Sequence, residues 1–483
     1  MTRVRTRERR RPATLRTKTG CHNCRTRKRK CDEQHPTCLA CAKRHLSCSW
    51  PHEKVQTVGG RPSMSLPEEG FQGLAGLALS HGTTDSLLHH YTSRLCAVLL
   101  NRHAHPDFAR LFLQSSILPK LQHMVEPLLA CASLDLSRQF PSHQCYQRLA
   151  WAYYAQAVTR TRNIITQKCV QGTEDWLLLN VLHLNLFETW SVTDARDADA
   201  NDGNDMKNRT PALLHIQGAA QILKLKLQGA SDPDSPKGSG RQPHRDVLPR
   251  STSDMVVTRI AAEAFVYHTV NWSMFFLFHG NNSSHNFQSS FMPTPDAELW
   301  DGLQPYLELR PFPDASGAQN SPVLGVPWQL YRFFSDLAIL RKQSTREASA
   351  LDNLSKSLDS WEDEKDTRTR LFVLALRLLL LKFQQPSLTT RDARAQLLVS
   401  EASDLLHDTH VERTDFWPLL IVGSAAVNLQ QIALLRATLQ TMALTMHSVA
   451  FAKTKLALEA IWADTKNDGL TMLLGGGGSG VPS

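Results

Sequence analysis

Six cysteines fall within the first tenth of the chain, and their spacing constrains that segment more tightly than any other feature of the 483 residues. Cys21, Cys24 and Cys31 stand two and six residues apart, and after a six-residue gap Cys38, Cys41 and Cys48 repeat the same intervals. Thiolate is a preferred ligand of zinc, which takes four ligands in a tetrahedron at about 2.3 Å from sulfur. Two ions need eight ligand positions, and six sulfurs fill them only when two sulfurs each bridge both metals. The count predicts a binuclear zinc cluster rather than loose thiols or disulfide partners, because a three-cysteine spacing seldom repeats by chance.

The residues between the cysteines carry charge. Arg25, Arg27, Lys28, Arg29 and Lys30 put five cations into six positions. Six thiolates with two Zn2+ sum to minus two, so part of this charge compensates the cluster. The rest exceeds that need, since Arg3, Arg5, Arg7, Arg9, Arg10, Arg11, Arg16 and Lys18 precede it. Residues 1–48 hold 15 Lys and Arg against Glu8, Asp32 and Glu33, a net of +12, while the whole chain is +9 and the remainder therefore −3. Positive charge confined to one small module is the electrostatic footprint of a nucleic-acid binder. A basic tail alone reads as a nuclear import signal; placed within a metal cluster, it is expected to face phosphate.

The segment from Thr19 to Cys48 resembles the DNA-binding domain of the Zn(2)-C6 fungal-type transcription factors, in its six cysteines, the basic run after the second, Lys30-Cys31-Asp32-Glu33, and Pro36 in the connecting loop. The resemblance implies that Cys21 and Cys38 bridge. One zinc would take Cys21, Cys24, Cys31 and Cys38, and the other Cys38, Cys41, Cys48 and Cys21. It also implies that a short helix beginning near Cys21 enters the major groove of double-stranded DNA and that Lys28 reads a CGG-type triplet. The chemistry agrees, since guanine shows its O6 and N7 acceptors there to Lys or Arg donors. On a continuous helix Arg25, Lys28 and Arg29 share one face, so one reaches bases while its neighbours hold phosphates. Arg27, where the family allows Lys or Arg, has no separate assignment, and any single cation here has a phosphate or solvent contact as its alternative. His22 and His35 lie near the metals but are expected bystanders, because six cysteines already close both tetrahedra.

The other cysteines, Cys96, Cys131, Cys145 and Cys169, are scattered among apolar residues and read as buried thiols of a reducing compartment. The Arg-rich start has no apolar segment for secretion, so the sequons at Asn271 and Asn282 carry no meaning. No run of eighteen apolar residues suggests a membrane span, and the charge points to the nucleus.

Residues 49–84, rich in Gly, Pro, Ser and His, read as a flexible linker. It has no apolar heptads, so the coiled-coil dimerisation that many zinc-cluster regulators place here is not expected. Segment 1–84 should be a monomer that binds a lone triplet weakly, residues 1–20 serving as a disordered basic arm, and any homodimer should form through residues 85–474.

Residues 85–474 are long enough to bury a large core and follow a helical period nearly throughout. Asp85 is expected to cap a first helix carrying Leu87, Tyr91 and Leu95. Further helices are expected over 117–136, 146–165, 176–190, 213–227, 256–278, 328–340, 371–383 and 391–406, with two or three pieces over 417–462. Residues 194–209, 229–246 and 281–296 read as disordered insertions, and 475–483 as a flexible tail. The fold class is thus mostly α: a small binuclear zinc-cluster domain plus a large all-helical regulatory domain. This region resembles the fungal-specific transcription factor domain of the second type, in pieces that occur in order: 87–91, 128–136, 153–158, 184–190, 215–223, 263–268 and 416–423. A departure follows Gly423, where the family tends to carry an acidic residue and this chain has Ser424-Ala425-Ala426.

Catalytic residues are not expected. The helical region has no phosphate-cradling glycine loop, nucleophile elbow or HExxH. Glu188, His183 and His215 form an imaginable acid–base set, but helix-face and packing roles are favoured, as they are for Trp190 and Trp272. These readings converge on a nuclear, zinc-dependent, sequence-specific regulator of transcription by RNA polymerase II, with DNA and co-regulators as partners. By family association it controls a biosynthetic gene cluster. Its rivals are a repressor or architectural factor with the same DNA module, and a metabolic enzyme fused to a zinc cluster.

Overall fold

Every residue from Leu177 to Glu188 is buried. A helix buried on all sides lies within a large core, although this one carries Asn180, His183, Asn185 and Glu188 among its leucines. The computed structural model describes residues 20–27, 29–34, 38–44, 46, 81–167, 170–191, 205–229, 251–279, 295–342, 348–361, 364–408, 411–445 and 449–474. The chain forms two compact units, Met1–Gly76 and Leu77–Ser483. The first contains α1 (His22–Thr26) and α2 (Leu39–Ala42).

The second unit begins with α3 (His81–His90), a π-helical turn (Tyr91–Leu95) and α4 (Cys96–Leu99). Then come α5 (Asp107–Phe112), a second π turn (Leu113–Ile117), α6 (Leu118–Gln139), α7 (Gln144–Thr166), α8 (Asp175–Ser191) and α9 (Asp205–Gly229). After α10 (Thr252–His279) follow α11 (Ala297–Leu307), α12 (Trp328–Lys342), α13 (Ala348–Asp359), α14 (Thr367–Gln384) and α15 (Ala393–Asp408). A 3-10 turn (Arg413–Asp415) leads into α16 (Phe416–Ala425), α17 (Leu429–Thr445), α18 (Val449–Ala463) and α19 (Gly469–Leu473). Among the described residues there is no strand, and no helix is long and apolar enough to cross a membrane.

Packing follows chain order. α6 lies against α7 and α8, and α8 against α9 and α10; α14 is flanked by α12, α13, α15 and α16; α18 packs on α16 and α17. α10 joins the halves, touching α5, α8 and α9 on one side and α11 and α12 on the other. Residues Leu371 to Leu380 of α14 are buried except Arg377, whose guanidinium reaches Asp359 at 3.4 Å. Gly423 lets α16 approach α18, because a Cβ there would lie 2.5 Å from Leu458 Cδ1, and its carbonyl accepts from Trp462 Nε1 at 2.9 Å. Ser424, at the departure from the family pattern, is buried and donates to the Ile421 carbonyl at 2.8 Å.

A buried polar hub fixes the loop between α11 and α12. Glu263, fully buried on α10, accepts from Arg259 Nε at 2.7 Å, Ser321 Oγ at 3.0 Å, and the backbone N–H groups of Val323 and Leu324 at 2.7 and 3.0 Å. Beside it, Arg368 donates through Nε to Asp415 Oδ1 at 2.8 Å and also to Thr414 Oγ1. Gly325 passes this hub at φ +68°, and a Cβ there would sit 2.0 Å from Arg368 Nη1. Only glycine suits that conformation and that gap.

Several local expectations change. α3 starts at His81, inside the expected linker, so Asp85 lies in its second turn and does not cap it. α9 starts at Asp205, so 205–209 are helical rather than part of an insertion. α5, α11, α13 and α19 were not expected. α11 is announced by Asp296, whose carboxylate accepts from Leu299 N–H at 2.9 Å, an N-cap of the kind that contributes about 1 kcal/mol. Residues 49–80, most of the other expected insertions and the tail lie outside the described residues. Cys96 and Cys131 are buried as expected, Cys145 is only half-buried, and Cys169 lies outside the described residues.

Candidate metal centre and nucleic-acid interface

Among the described residues of the first unit, the buried core is Cys21, Cys24, Cys31, Cys38 and Cys41, with Ala40 and Leu46 packed against it. The Sγ atoms of Cys21, Cys24, Cys31 and Cys38 all lie within 4.8 Å of one another. These are the four assigned to the first ion by the family resemblance. Cys38 Sγ is 3.8 Å from Cys21 Sγ and 3.7 Å from Cys24 Sγ, and Cys21 Sγ is 3.8 Å from Cys41 Sγ. A tetrahedron with zinc–sulfur bonds of about 2.3 Å has edges of about 3.8 Å, so the spacing suits zinc and is far too long for disulfides. Cys21 and Cys38 thus have close sulfur neighbours in both expected sets. Cys48 and His35 lie outside the described residues.

The two halves repeat in backbone as well as spacing. In each pair the first cysteine directly precedes a short helix and the second lies within it, Cys21 before and Cys24 in α1, Cys38 before and Cys41 in α2. Each helix end is closed by an N–H reaching five residues back, Arg29 to the Cys24 carbonyl at 2.9 Å and Leu46 to the Cys41 carbonyl at 3.1 Å, as in a Schellman-type terminus. Arg29 and Leu46 are equivalent positions, seventeen residues apart like Cys21 and Cys38. The charge is therefore loaded onto one half of a symmetric scaffold.

Arg27, Arg29 and Lys30 are exposed. α1 ends at Thr26, so Arg29 leaves the helix and does not share a helical face with Arg25. The five-residue helix stops because Arg29 N–H is committed to the helix-closing bond. Arg25 lies on α1, and Lys28 falls outside the described residues.

Three further residues shape the module. Asp32 Oδ2 accepts from Leu39 N–H at 3.1 Å, tying the end of the first half to the first turn of α2. Glu33 turns the chain at φ +59°. Gly20 abuts the cluster, where a Cβ would fall 2.9 Å from Cys31 Cβ. Asp32 and Glu33 were visible only as part of a family string; nothing in local spacing marks Asp32 as a cap seven residues away.

Residues 86–472 match the fungal specific transcription factor domain, and residues 19–57 match the fungal Zn(2)-Cys(6) binuclear cluster domain. The chain belongs to the fungal zinc-cluster transcription factors. This family consists of regulators rather than enzymes. Curated relatives match over short stretches. Transcription factor lfc1 of Flammulina velutipes is 50% identical over 44 residues, 9% of this chain and 16% of that protein. Transcriptional regulatory protein moc3 of Schizosaccharomyces pombe is 42% identical over 57 residues, 12% and 11% of the two chains. Zinc cluster transcription factor CZF1 of Candida albicans is 45% identical over 40 residues, 8% and 10%. The matched segment thus spans no more than about a sixth of each of these relatives. No solved structure matches the chain.

The donor set fits the zinc that the family domain implies. Cys21, Cys24, Cys31, Cys38 and Cys41 are placed to hold it, and the metal would supply the cross-link that a module this small cannot obtain from apolar burial.

In the imagined acid–base set of the helical unit, His183 stands apart, while His215 and Glu188 both reach the Tyr154 hydroxyl. His183 receives the Tyr91 hydroxyl at 2.6 Å on Nε2 and donates through Nδ1 to the Leu179 carbonyl at 2.7 Å. His215 instead meets the Tyr154 hydroxyl at 3.0 Å. Glu188 is buried on α8, and that burial raises its carboxyl above the usual range. Trp272 is buried and Trp190 packs partly buried against the core.

Proposed function

We propose that this protein is a zinc-dependent, sequence-specific DNA-binding regulator of transcription by RNA polymerase II. The observation that carries the reading is a sulfur cluster with zinc-compatible edges beside the exposed cations Arg27, Arg29 and Lys30. Two ions are held by Cys21, Cys24, Cys31, Cys38, Cys41 and Cys48, with Cys21 and Cys38 bridging. Lys28 reads guanine in a CGG-type triplet, while Arg25, Arg27, Arg29 and Lys30 position the module on phosphates and sugar edges. Residues 1–20 form a basic arm, 21–48 the DNA-binding module, 49–84 a connector, 85–474 the regulatory region and 475–483 a tail. The protein acts in the nucleus, on genes of a biosynthetic cluster, with co-regulators as partners. One triplet holds too little information to select genomic sites, so a homodimer formed through the helical region supplies the second reader.

The test compares two substitutions on matched and random duplexes. Lys28→Ala should cost about 1–3 kcal/mol at a guanine-containing site and relax discrimination there. Arg10→Ala should weaken all duplexes alike and lower the salt slope by about 0.9 for each phosphate no longer neutralised. Equal losses for both variants on both duplexes would remove Lys28 as the reader.

A further inference from the structure

Between α4, α8 and α10 of the helical unit lies a cavity of about 60 Å³. Most of its wall is apolar, including Phe112, Leu179 and Leu182, and its polar members are few. Among the described residues Arg413 is the one charged side chain of the lining. It stacks over the Tyr267 ring at 4.9 Å and spends a single N–H, from Nη2, on the Leu99 carbonyl at 2.9 Å. Glu412, next to it in sequence, turns towards Arg102 and His103 at 3.7 Å and is not part of the wall.

The two lining histidines differ. His183 is saturated by Tyr91 and Leu179. His268 is 7% exposed, and its ring meets the Tyr267 ring edge-on with centroids 5.3 Å apart. Burial, with help from Arg413 and then His183, pushes its imidazole down to about 3, so at neutral pH it is an uncharged ring with one donor and one acceptor. Both π-helical turns adjoin the cavity: Tyr91 opens the first, and Phe112 directly precedes the second. Such turns occur preferentially at functional sites.

We propose that this cavity is an effector site for a short-chain aliphatic monocarboxylate, its tail among Phe112, Leu179 and Leu182, its carboxylate on Arg413 and within reach of the His268 N–H. The lining decides the class. A largely apolar wall selects hydrocarbon, and a guanidinium with donors to spare and no carboxylate in the wall selects an anionic oxygen pair, which Arg grips with two parallel bonds. Size sets the limit. A cavity of roughly 150 Å³ holds benzene, so 60 Å³ suits an unbranched tail of roughly three or four carbons and not a ring.

Calorimetric titration of the full-length protein with butanoate, and with butanamide as its uncharged counterpart, tests the site without reference to DNA. Butanoate should bind saturably, and butanamide at least about tenfold more weakly, the factor expected when a charged hydrogen bond is removed. Arg413→Gln, at the half-buried edge of the cavity, should lose about tenfold in butanoate affinity and little in butanamide affinity. Ala264→Phe, which fills the cavity, should abolish binding of both while helical content by circular dichroism is kept. A cavity that takes only water gives no saturable heat with butanoate and overturns the proposal. So do equal affinities for acid and amide, benzoate binding as tightly as butanoate, or unchanged butanoate binding in Arg413→Gln.

Discussion

The two units are stabilised by opposite means. Among its described residues the cysteine module has five buried sulfurs and two partly buried apolar neighbours, Ala40 and Leu46, for a core. The helical unit buries a continuous set of Leu, Phe, Val, Ile and Trp side chains that runs from Leu87 to Leu474. In the first, stability comes from a few groups that no other residue type can replace. In the second it comes from many that are interchangeable at similar volume. Irreplaceable groups leave their spacing in the sequence; interchangeable ones leave only a period.

The largest expected difference is in metal dependence. Structural zinc contributes about 10–16 kcal/mol in small zinc-binding peptides, so excess chelator should disorder residues 20–46 and release the metal. The melting temperature of the helical unit should stay where it was. Elemental analysis before chelation should return two zinc ions per chain, the number in the family domain's name. A module that keeps its amide chemical-shift dispersion in chelator would erase the contrast.

Next is the polar hub, which acts in the helical unit alone. Glu263→Ala removes the carboxylate partner of Arg259 and the acceptor of the Val323 and Leu324 N–H groups. Removing one member of a buried ion pair costs about 3–5 kcal/mol, which urea denaturation should register while zinc content is unchanged. A loss below about 1 kcal/mol would mean that the loop holds itself.

The smallest effect is a pH slope in the helical unit. Burial pushes His215 down to about 4 and His268 to about 3. Their unfolded forms take up protons below about 6.5, while the folded forms stay neutral, so stability should fall as pH drops from 6.5 towards 4. The slope is about 1.4 kcal/mol per pH unit for each such histidine. Glu412 opposes it: burial raises its carboxyl to about 7, so its contribution is greatest when protonated and is lost as pH rises from about 4.5 to 7. Thermal melts between pH 5 and 6.5 should show a shallower slope for His268→Gln and a steeper one for Glu412→Gln. An unchanged slope in His268→Gln would show that this histidine is not held neutral.

The helical unit illustrates how far periodicity reads. α6, α7, α8, α10 and α14 were legible because their apolar runs span several turns and admit no other period. α5, α13 and α19 were not, since 6, 12 and 5 residues carry too few repeats to stand out. The start of α3 was misplaced because Asp85 looks like a cap, yet the preceding turn is helical too. At the cysteine module the sulfurs were legible, but the end of α1 was not. Shared-face spacing assumed a helix through Arg29, which the bond from Arg29 to the Cys24 carbonyl closes at Thr26.

By itself the sequence determined the family, the candidate metal ligands, the placement of positive charge and the helical class, because each depends on residue identity at fixed short intervals. Tertiary structure alone decided that Asp32 caps α2, that Glu263 pins a loop some sixty residues away, that His183 and His215 serve separate networks, and that His268 and Arg413 border one cavity. Those relations join residues seven to more than a hundred positions apart. Which of the many polar side chains in a helical chain meet one another depends on how the helices cross, and helix crossing leaves no periodic mark in the sequence.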